Sequence, residues 1–535
     1  MTTTPPFRPR HYLLASAVLA ALGLPHLASA AVFNVATAPQ LATAITTANG
    51  DGADDTINLT ANITLTGELP LIESNIAFVG SGGNRVITSD SAHRLFFVGS
   101  NAAPAPAVSF TNLTLSGGKA TGGASGGAGL GGGLFIYGGT VSITQVTFNN
   151  NGAQGGAGGH FNDSGGRGGG GMFGAGLGGV GSTGGAGGGG FDGGGGGSGN
   201  FGAGGFGGPV ACDGGQGGFG GGGGGGGGHD YNGYSGTGGQ GGFGGGGGGG
   251  GSGNDSAGGA GGFGGGGGFL VTPYAGGLGG QGGFGGSAGG NGYGGGGAGL
   301  GGALFIRTGN LTLTNVAFTN NSAAGGSGAN NGLGKGGALF ALHRLDNTNG
   351  NNQGMPAALP TVAGCGVTFA SNTASDAGGA AGVTDTNDAF IDQNISPFAA
   401  ACPPEIDVTG NGISIAHGDL TPSTTDATDF GPVNVGGTVS HTFTIHNRGG
   451  ANLTLTTPIT VTGADFSATA QPISPVLPNG GSTTFTVRFA PLAGGGAITG
   501  TVSIANSDAN ENPYIFSLQG VANSIANAIF QNGFE

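Results

Sequence analysis

Basic residues are scarce: the chain carries 11 Lys and Arg against 25 Asp and Glu in 535 residues. Such a surface repels nucleic acid and anionic lipid, so neither is an expected partner. Cysteine is scarcer, at three, too few for a disulfide scaffold. Cys365 and Cys402 flank the end of a repeat region and are the candidate disulfide in an oxidising compartment, whereas Cys212 stands alone in glycine. Connectivity cannot be read from sequence. Long apolar runs are missing beyond the N-terminus. There, Arg8 and Arg10 precede an apolar stretch from Tyr12 to Leu24 and then Ala28-Ser29-Ala30, the order of a secretory leader. The stretch falls short of the roughly 20 residues that span a bilayer. A signal peptide over 1–30 is therefore expected, with no transmembrane span in the mature chain. Its removal leaves nine basic residues against 25 acidic ones, a net charge of −16.

Glycine is what the chain has in excess, 140 residues. It frames a repeat: Gly-Leu-Gly-Gly-Gly-Leu-Phe-Ile at 129–136 returns as Gly-Leu-Gly-Gly-Ala-Leu-Phe-Ile at 299–306. Each copy leads through an alternating run, Val141 to Thr144 or Leu311 to Thr314, into a Phe-x-x-Asn element, Phe148 with Asn151 and Phe318 with Asn321. A looser copy runs from Gly336 to Phe369 and Asn372. Short alternating strands that recur with Gly and Asn turns are the signature of a solenoid. Between Ala31 and Gly118 further short β-segments are expected at Ile57 to Leu59, Ile63 to Leu65, Ile76 to Val79, Leu95 to Val98 and Val108 to Leu115. The segment Ala38 to Asn49 has a helical apolar pattern, Leu41, Ile45 and Ala48, suited to capping the first coil.

Within 160–297 lies a glycine-rich insertion in which Phe219, Phe243, Phe263 and Phe284 recur 24, 20 and 21 residues apart. Glycine loses the most backbone freedom on ordering and has no side chain to bury, so a mobile or loosely packed protrusion is expected. The alternatives are phenylalanines that dock the glycine segments onto the adjoining coils, or a bundle of extended helices like polyglycine II. From about Pro404 to Ala522, alternating strands at Thr438 to His446, Ser482 to Phe489, Gly500 to Ala505 and Tyr514 to Gln519 predict a small β-sandwich.

The Gly-Gly-Ala-Leu and Phe-x-x-Asn elements, at Gly301 to Leu304 with Phe318 and Asn321 and at Gly336 to Leu339 with Phe369 and Asn372, resemble the repeats of the polymorphic outer membrane proteins. Gly131 to Leu134 with Phe148 and Asn151 departs by one residue. The resemblance implies a right-handed parallel β-helix in which Phe148, Phe318 and Phe369 stack inside. Asn151, Asn321 and Asn372 would take left-handed turn angles and pair their amides with the next coil, or serve as turn formers only. Members of that family end in an outer-membrane barrel, whereas a sandwich and a short tail follow here, so self-translocation is not expected. The sandwich resembles choice-of-anchor D and abnormal-spindle/hydin-like immunoglobulin-fold domains through Phe430-Gly431, Asn447-Arg448-Gly449, Pro478-Asn479-Gly480, Val487 to Pro491 and Leu518-Gln519-Gly520. Such domains imply adhesive or scaffolding roles and bring no catalytic residues.

The search for chemistry returns little. Lyases and hydrolases of β-helical shape need clustered acids with a base, or paired carboxylates on one face. Between Ala31 and Cys402 the basic residues are Arg85, Arg94, Lys119, Arg167, Arg307, Lys335 and Arg344, none beside an acid pair on a recurring coil. Asp51, Asp54 and Asp55 read as turn caps, and Asp385, Asp388 and Asp392 as solvated loop acids. A calcium roll needs tandem nine-residue spacing, but Asp192, Asp213, Asp230 and Asp255 stand 21, 17 and 25 apart. No Gly-Lys-Ser/Thr closes a glycine run, and His441 and His446 point to opposite faces of one strand. No catalytic residue, metal site or cofactor is expected.

The sequence thus reads as an all-β chain: signal peptide 1–30, parallel β-helix 31–159 and 298–403 around the glycine-rich insertion 160–297, immunoglobulin-like β-sandwich 404–522, and tail 523–535. The expected role is a secreted or cell-surface adhesin-like or structural protein, with cell-surface glycans, matrix or other-cell proteins as candidate partners. The alternative is a secreted carbohydrate-active β-helix enzyme, which would require distant acids such as Asp90 and Asp346 to converge.

Overall fold

The computed structural model describes residues 29–101, 104–160, 166–178, 180, 182–189, 202–253, 256–270, 278–392, 398, 402–478 and 480–524. The leader up to residue 28 and the tail from 525 lie outside the described residues, as do Asp192 and Asp255. The described chain is nearly all β, and no helix is long and apolar enough to cross a membrane. The helix Ala38–Asp51 begins at Thr37, whose hydroxyl accepts the Gln40 N–H, and stops at the left-handed Gly52. Its buried face, Leu41, Ala44, Ile45 and Ala48, joins the apolar core of the first strands.

Those strands are parallel. An 11-stranded sheet runs from Val32–Val35 through Asp55–Leu59, Ile76–Gly80, Ala107–Ser116, Thr140–Asn149 and Asn310–Thr314 to Thr361–Cys365. A second sheet pairs Phe96–Val98, Leu134–Ile136, Leu304–Ile306 and Leu339–Ala341 in parallel. The repeat fixes the register: Phe135 faces Phe305 and then Phe340, while Phe148 faces Phe318 and then Phe369. Alternation decides the faces, since Val141 and Ile143 are buried and Ser142 between them is exposed. Two residues 170 positions apart therefore become neighbours because strand pairing returns the same side chain to the same column.

Columns of identical side chains stack at nearly the strand spacing of about 4.7–4.9 Å. Ring centroids lie 5.0 Å apart for Phe148 and Phe318 and 5.2 Å for Phe318 and Phe369. A second column, Phe97, Phe135, Phe305, Phe340 and Phe390, steps by 4.5, 5.1, 5.1 and 4.8 Å. Offset ring pairs add about 0.5–1.5 kcal/mol each beyond the area they bury.

The glycine-rich region differs from the expected mobile protrusion. Its described segments are hydrogen-bonded to one another: Gly224 N–H donates to Gly215 O, Gly239 to Gly224, Gly248 to Gly239, Gly259 to Gly248 and Gly268 to Gly259, at 2.7–2.9 Å. The backbones approach so closely that a Cβ on Gly248 would lie 2.0 Å from Gly224 O. Only glycine permits that approach, so the residue whose ordering costs most entropy is also the one whose backbone makes this packing possible. Each Phe-Gly pair forms a tight turn. Gly221, Gly245, Gly265 and Gly286 donate to the carbonyls of Gly218, Gly242, Gly262 and Gly283, with φ of 75–80° at Gly220, Gly244, Gly264 and Gly285. These are the marks of type II turns, which require a left-handed residue at the third position. The turns dock on the parallel sheets through Ala128 N–H to Gly244 O, Ala298 N–H to Gly264 O and Leu333 N–H to Gly285 O, at 2.7–2.8 Å. Phe219, Phe243, Phe263 and Phe284 consequently stack at 5.2, 4.9 and 5.2 Å, with Phe243 edge-on against Phe305 and Phe263 edge-on against Phe305 and Phe340. Spacings of 24, 20 and 21 residues thus return each ring to the next step of the same column.

The C-terminal β-sandwich has one sheet ordered Ile413–Ile415, Ile406–Gly410, Val439–Asn447, Ser482–Phe489, Phe466–Ala470 and another ordered Asp429–Asn434, Tyr514–Asn523, Gly496–Ile504, Thr460–Thr462. Phe443, Phe485, Phe489, Val502 and Leu518 fill its own core, separate from that of the parallel sheets. Cys365 and Cys402 are joined, S–S 2.06 Å, which ties the strand Thr361–Cys365 to the start of the sandwich. Cys212 is free and exposed.

Candidate functional site

Asn151, Asn321 and Asn372 form a buried ladder. The Asn321 Oδ1 accepts from both the backbone N–H and the Nδ2 of Asn151, at 2.9 and 3.0 Å. The Asn372 Oδ1 accepts the same two bonds from Asn321, each at 2.9 Å. The remaining amide hydrogens of Asn321 and Asn372 reach Phe148 O and Phe318 O. The left-handed angle expected at these asparagines falls one residue earlier, at Asn150, Asn320 and Ser371, with φ of 54–56°. The turn and the ladder are therefore divided between adjacent residues. A side chain that must point inward to pair with its neighbours is freed from the strained backbone position.

Arg94 and Arg307, which the sequence sets beside no acid pair, bond to carbonyls and ring faces. Arg94 is 2% exposed, donates from Nε and Nη2 to Leu130 O and Gly131 O, and lies 4.6 Å from the Phe173 ring. Burial pulls its pKa down to about 10, so it stays charged at neutral pH. Arg307 donates from Nε and Nη2 to Gly354 O and lies 4.3 Å from Tyr137 and 5.4 Å from Phe219. Both guanidinium groups pin glycine-region residues to the parallel sheets through carbonyls and ring faces. The polar stretch from Asn347 to Gly354 does the same work with amides. Asn349 and Asn351 donate to Gly261 O and Gly241 O, each at 2.7 Å, and Gln353 donates to Gly217 O.

Among the described residues, the acids at the positions weighed from sequence form no joint constellation. Asp90 Oδ1 is 2.9 Å from His93 Nδ1, and Asp346 Oδ1 accepts from Asn352, so the bonds of each are local. Asp51, Asp54 and Asp55 accept from Ala53 N–H, Asn75 Nδ2 and Ala31 N–H. The reading of Asp385 and Asp388 as solvated loop acids is corrected. Asp385 is an ion-pair partner of Lys335, and Asp388 accepts from Asn372 Nδ2. His441 and His446 share the strand Val439–Asn447, with His441 stacked on Phe430 and His446 beside Thr409.

Two features escaped the sequence reading because their parts are distant or isolated in the chain. A groove of about 800 Å³ is lined by Ala42, Thr46, Asn49, Glu68, Glu73 and Phe173 among others. Glu68 is exposed to solvent along the groove, yet the surrounding protein withdraws enough water to push its carboxyl above its ordinary pKa, while the neighbouring Arg94 and His93 pull it back. In the sandwich, carboxylate oxygens of Glu405, Asp508 and Glu511 lie within 4.8 Å of one another. Burial first, and then the neighbouring carboxylates, raise the pKa of Glu405 and Glu511. Asp508 Oδ2 already accepts the Ile406 N–H.

The family model described as HYDIN/CFA65/VesB-like, Ig-like domain matches residues 423–520. The C-terminal sandwich is Ig-like. The match spans the strands from Asp429–Asn434 to most of Tyr514–Asn523, and the strands Ile406–Gly410 and Ile413–Ile415 precede it. Among curated proteins, none matches the chain.

Proposed function

We propose that this is an exported, non-enzymatic protein of the cell surface or extracellular space, adhesin-like or structural. Its parallel strands are read as a right-handed parallel β-helix over 31–159 and 298–403, the hand following from the general preference of parallel crossover connections. The observation that carries the reading is the use made of polar side chains in the parallel region. Asn151, Asn321 and Asn372 bond to one another, and Arg94 and Arg307 bond to carbonyls of the packed chain. They serve cohesion, and the Ig-like domain adds a module suited to contact. Cell-surface glycans, matrix or other-cell proteins are the partners such an extended surface would engage, with strength growing by valency.

Protease shaving of intact producing cells tests this, with antibodies against the glycine-rich region and the Ig-like domain and a parallel assay of the medium. Loss of both signals from cells is expected. Intact protein chiefly in the medium would favour a released factor. The Glu68 groove favours a second reading, a secreted carbohydrate-active enzyme, because Glu68 and Glu73 line one groove and a raised carboxyl pKa is what a general acid requires. Polysaccharide cleavage lost in Glu68→Gln would establish it, and absence of cleavage across a polysaccharide panel would remove it.

A further inference from the structure

Lys335 ends the short strand Gly334–Lys335, and Asp385 ends the strand Val383–Asp385, which belongs to a different sheet. Their side chains are 7% and 3% exposed, and Lys335 Nζ lies 2.7 Å from Asp385 Oδ2. Nζ also donates to Gly378 O at 2.9 Å, and the Ala380 N–H donates to the same Asp385 Oδ2 at 3.2 Å. The Phe390 ring is 5.9 Å from Nζ. Asp385 Oδ1 is buried and has no hydrogen-bond partner. As an ion pair the arrangement is poor: two charges are withdrawn from water, and one carboxylate oxygen is left unsatisfied.

The same atoms are well placed for condensation. We propose that Lys335 and Asp385 join in an intramolecular isopeptide bond. Transfer of one proton from Nζ to the carboxylate, where it settles on Oδ1, gives a neutral amine and a carboxylic acid. The Nζ lone pair then attacks Cγ, and Oδ2, held by the Ala380 N–H, carries the charge that develops. As the new N–C bond forms, the nitrogen sheds a second proton to Oδ1. The Cγ–Oδ1 bond breaks and one water leaves, with no oxidant, reductant or further reactant. Holding the two groups in contact supplies the orientation that makes an intramolecular step fast. The product accounts for every polar atom at the site. The single remaining N–H faces Gly378 O, the new carbonyl keeps the Ala380 N–H, and the orphaned Oδ1 is gone. The bond would cross-link two sheets, independently of what the protein binds.

Intact mass of the reduced, denatured full chain decides the matter once its N-terminus is determined. The expected mass is one water below that of the sequence. Trypsin should fail to cut after Lys335 and should release a branched peptide joining residues 308–344 to 345–448. Lys335→Arg keeps the cation but forms no amide, so its mass should match its sequence. Asp385→Asn should give the same cross-link with loss of ammonia. Wild-type chain at full mass with free cleavage after Lys335, or a water loss located at another residue, overturns the proposal, whether or not either variant folds.

Discussion

Gly262→Ala tests whether the glycine-rich region is a packed body. The Gly262 carbonyl closes the turn around Phe263 by accepting the Gly265 N–H at 2.8 Å, and its own N–H donates to Gly245 O at 2.8 Å. An added Cβ would stand 1.7 Å from Gly242 O and 2.4 Å from Gly242 C, where real contacts do not fall below 3.0 Å. Both obstacles are backbone, so no rotamer change relieves them. Overpacking alone costs about 1–3 kcal/mol. Separating the segments also strands a buried amide, another 1–3 kcal/mol or so, for a total of about 2–6 kcal/mol. Gly178→Ala is the matched control. It has open space around it, ordinary backbone angles and the same residue change, so its effect should be a stabilisation of at most about 1 kcal/mol through the unfolded state. Calorimetry of both variants, with the Ig-like domain's own transition as internal reference, gives the stabilities. Hydrogen exchange of peptides over 203–297 reports the local packing. A Gly262→Ala protein that melts with the wild type, with glycine amides exchanging at unprotected rates, would refute the packing argument.

Asn321→Ala should destabilise the parallel region by about 3 kcal/mol, since it orphans the Asn151 N–H and Phe148 O in a site with no exposure. Asn320→Gly, one residue away at a left-handed angle, should change it by less than about 1 kcal/mol, and equal effects in the same melts would contradict the division of turn and ladder. His343, packed 4.8 and 4.9 Å from the Phe284 and Phe390 rings, has its pKa lowered to about 4, first by burial and then by Arg344. The unfolded imidazole takes its proton near the ordinary 6.5 and the folded one only near 4, so its contribution is whole above 6.5 and lost as pH falls from there toward 4. Melting temperature against pH should therefore decline more steeply in wild type than in His343→Phe across that window, and parallel curves would remove the residue from the acid response.

Much of the fold was legible because its signals are local. Alternation at Val141 to Thr144 states which side chains face inward, and Phe148 and Phe318, embedded in the same motif, pair by register. The helix Ala38–Asp51 and the long sandwich strands Val439–Asn447, Ser482–Phe489, Gly496–Ile504 and Tyr514–Asn523 declare themselves through caps, periodicity and turn residues in the same way, whereas the shorter sandwich strands do not. The electrostatic partners were not legible. Lys335 and Asp385 are 50 residues apart, and the raised pKa of Glu68 comes from withdrawal from water in the fold, opposed by Arg94 in a later segment. Nor did the amides of Asn349 and Asn351 look different from those of any polar loop, since their acceptors are carbonyls about 90 to 110 positions away.

The sequence by itself determined the repeating unit: strand, turn, inward phenylalanine and inward asparagine, because each depends on neighbours within a few residues. Only the tertiary structure decided the state of the glycine-rich region and the employment of the buried charges. Glycine carries no side chain to announce a partner, so its order rests on backbones meeting face to face. A buried cation is described by whichever carbonyl, ring or carboxylate the chain brings back to it.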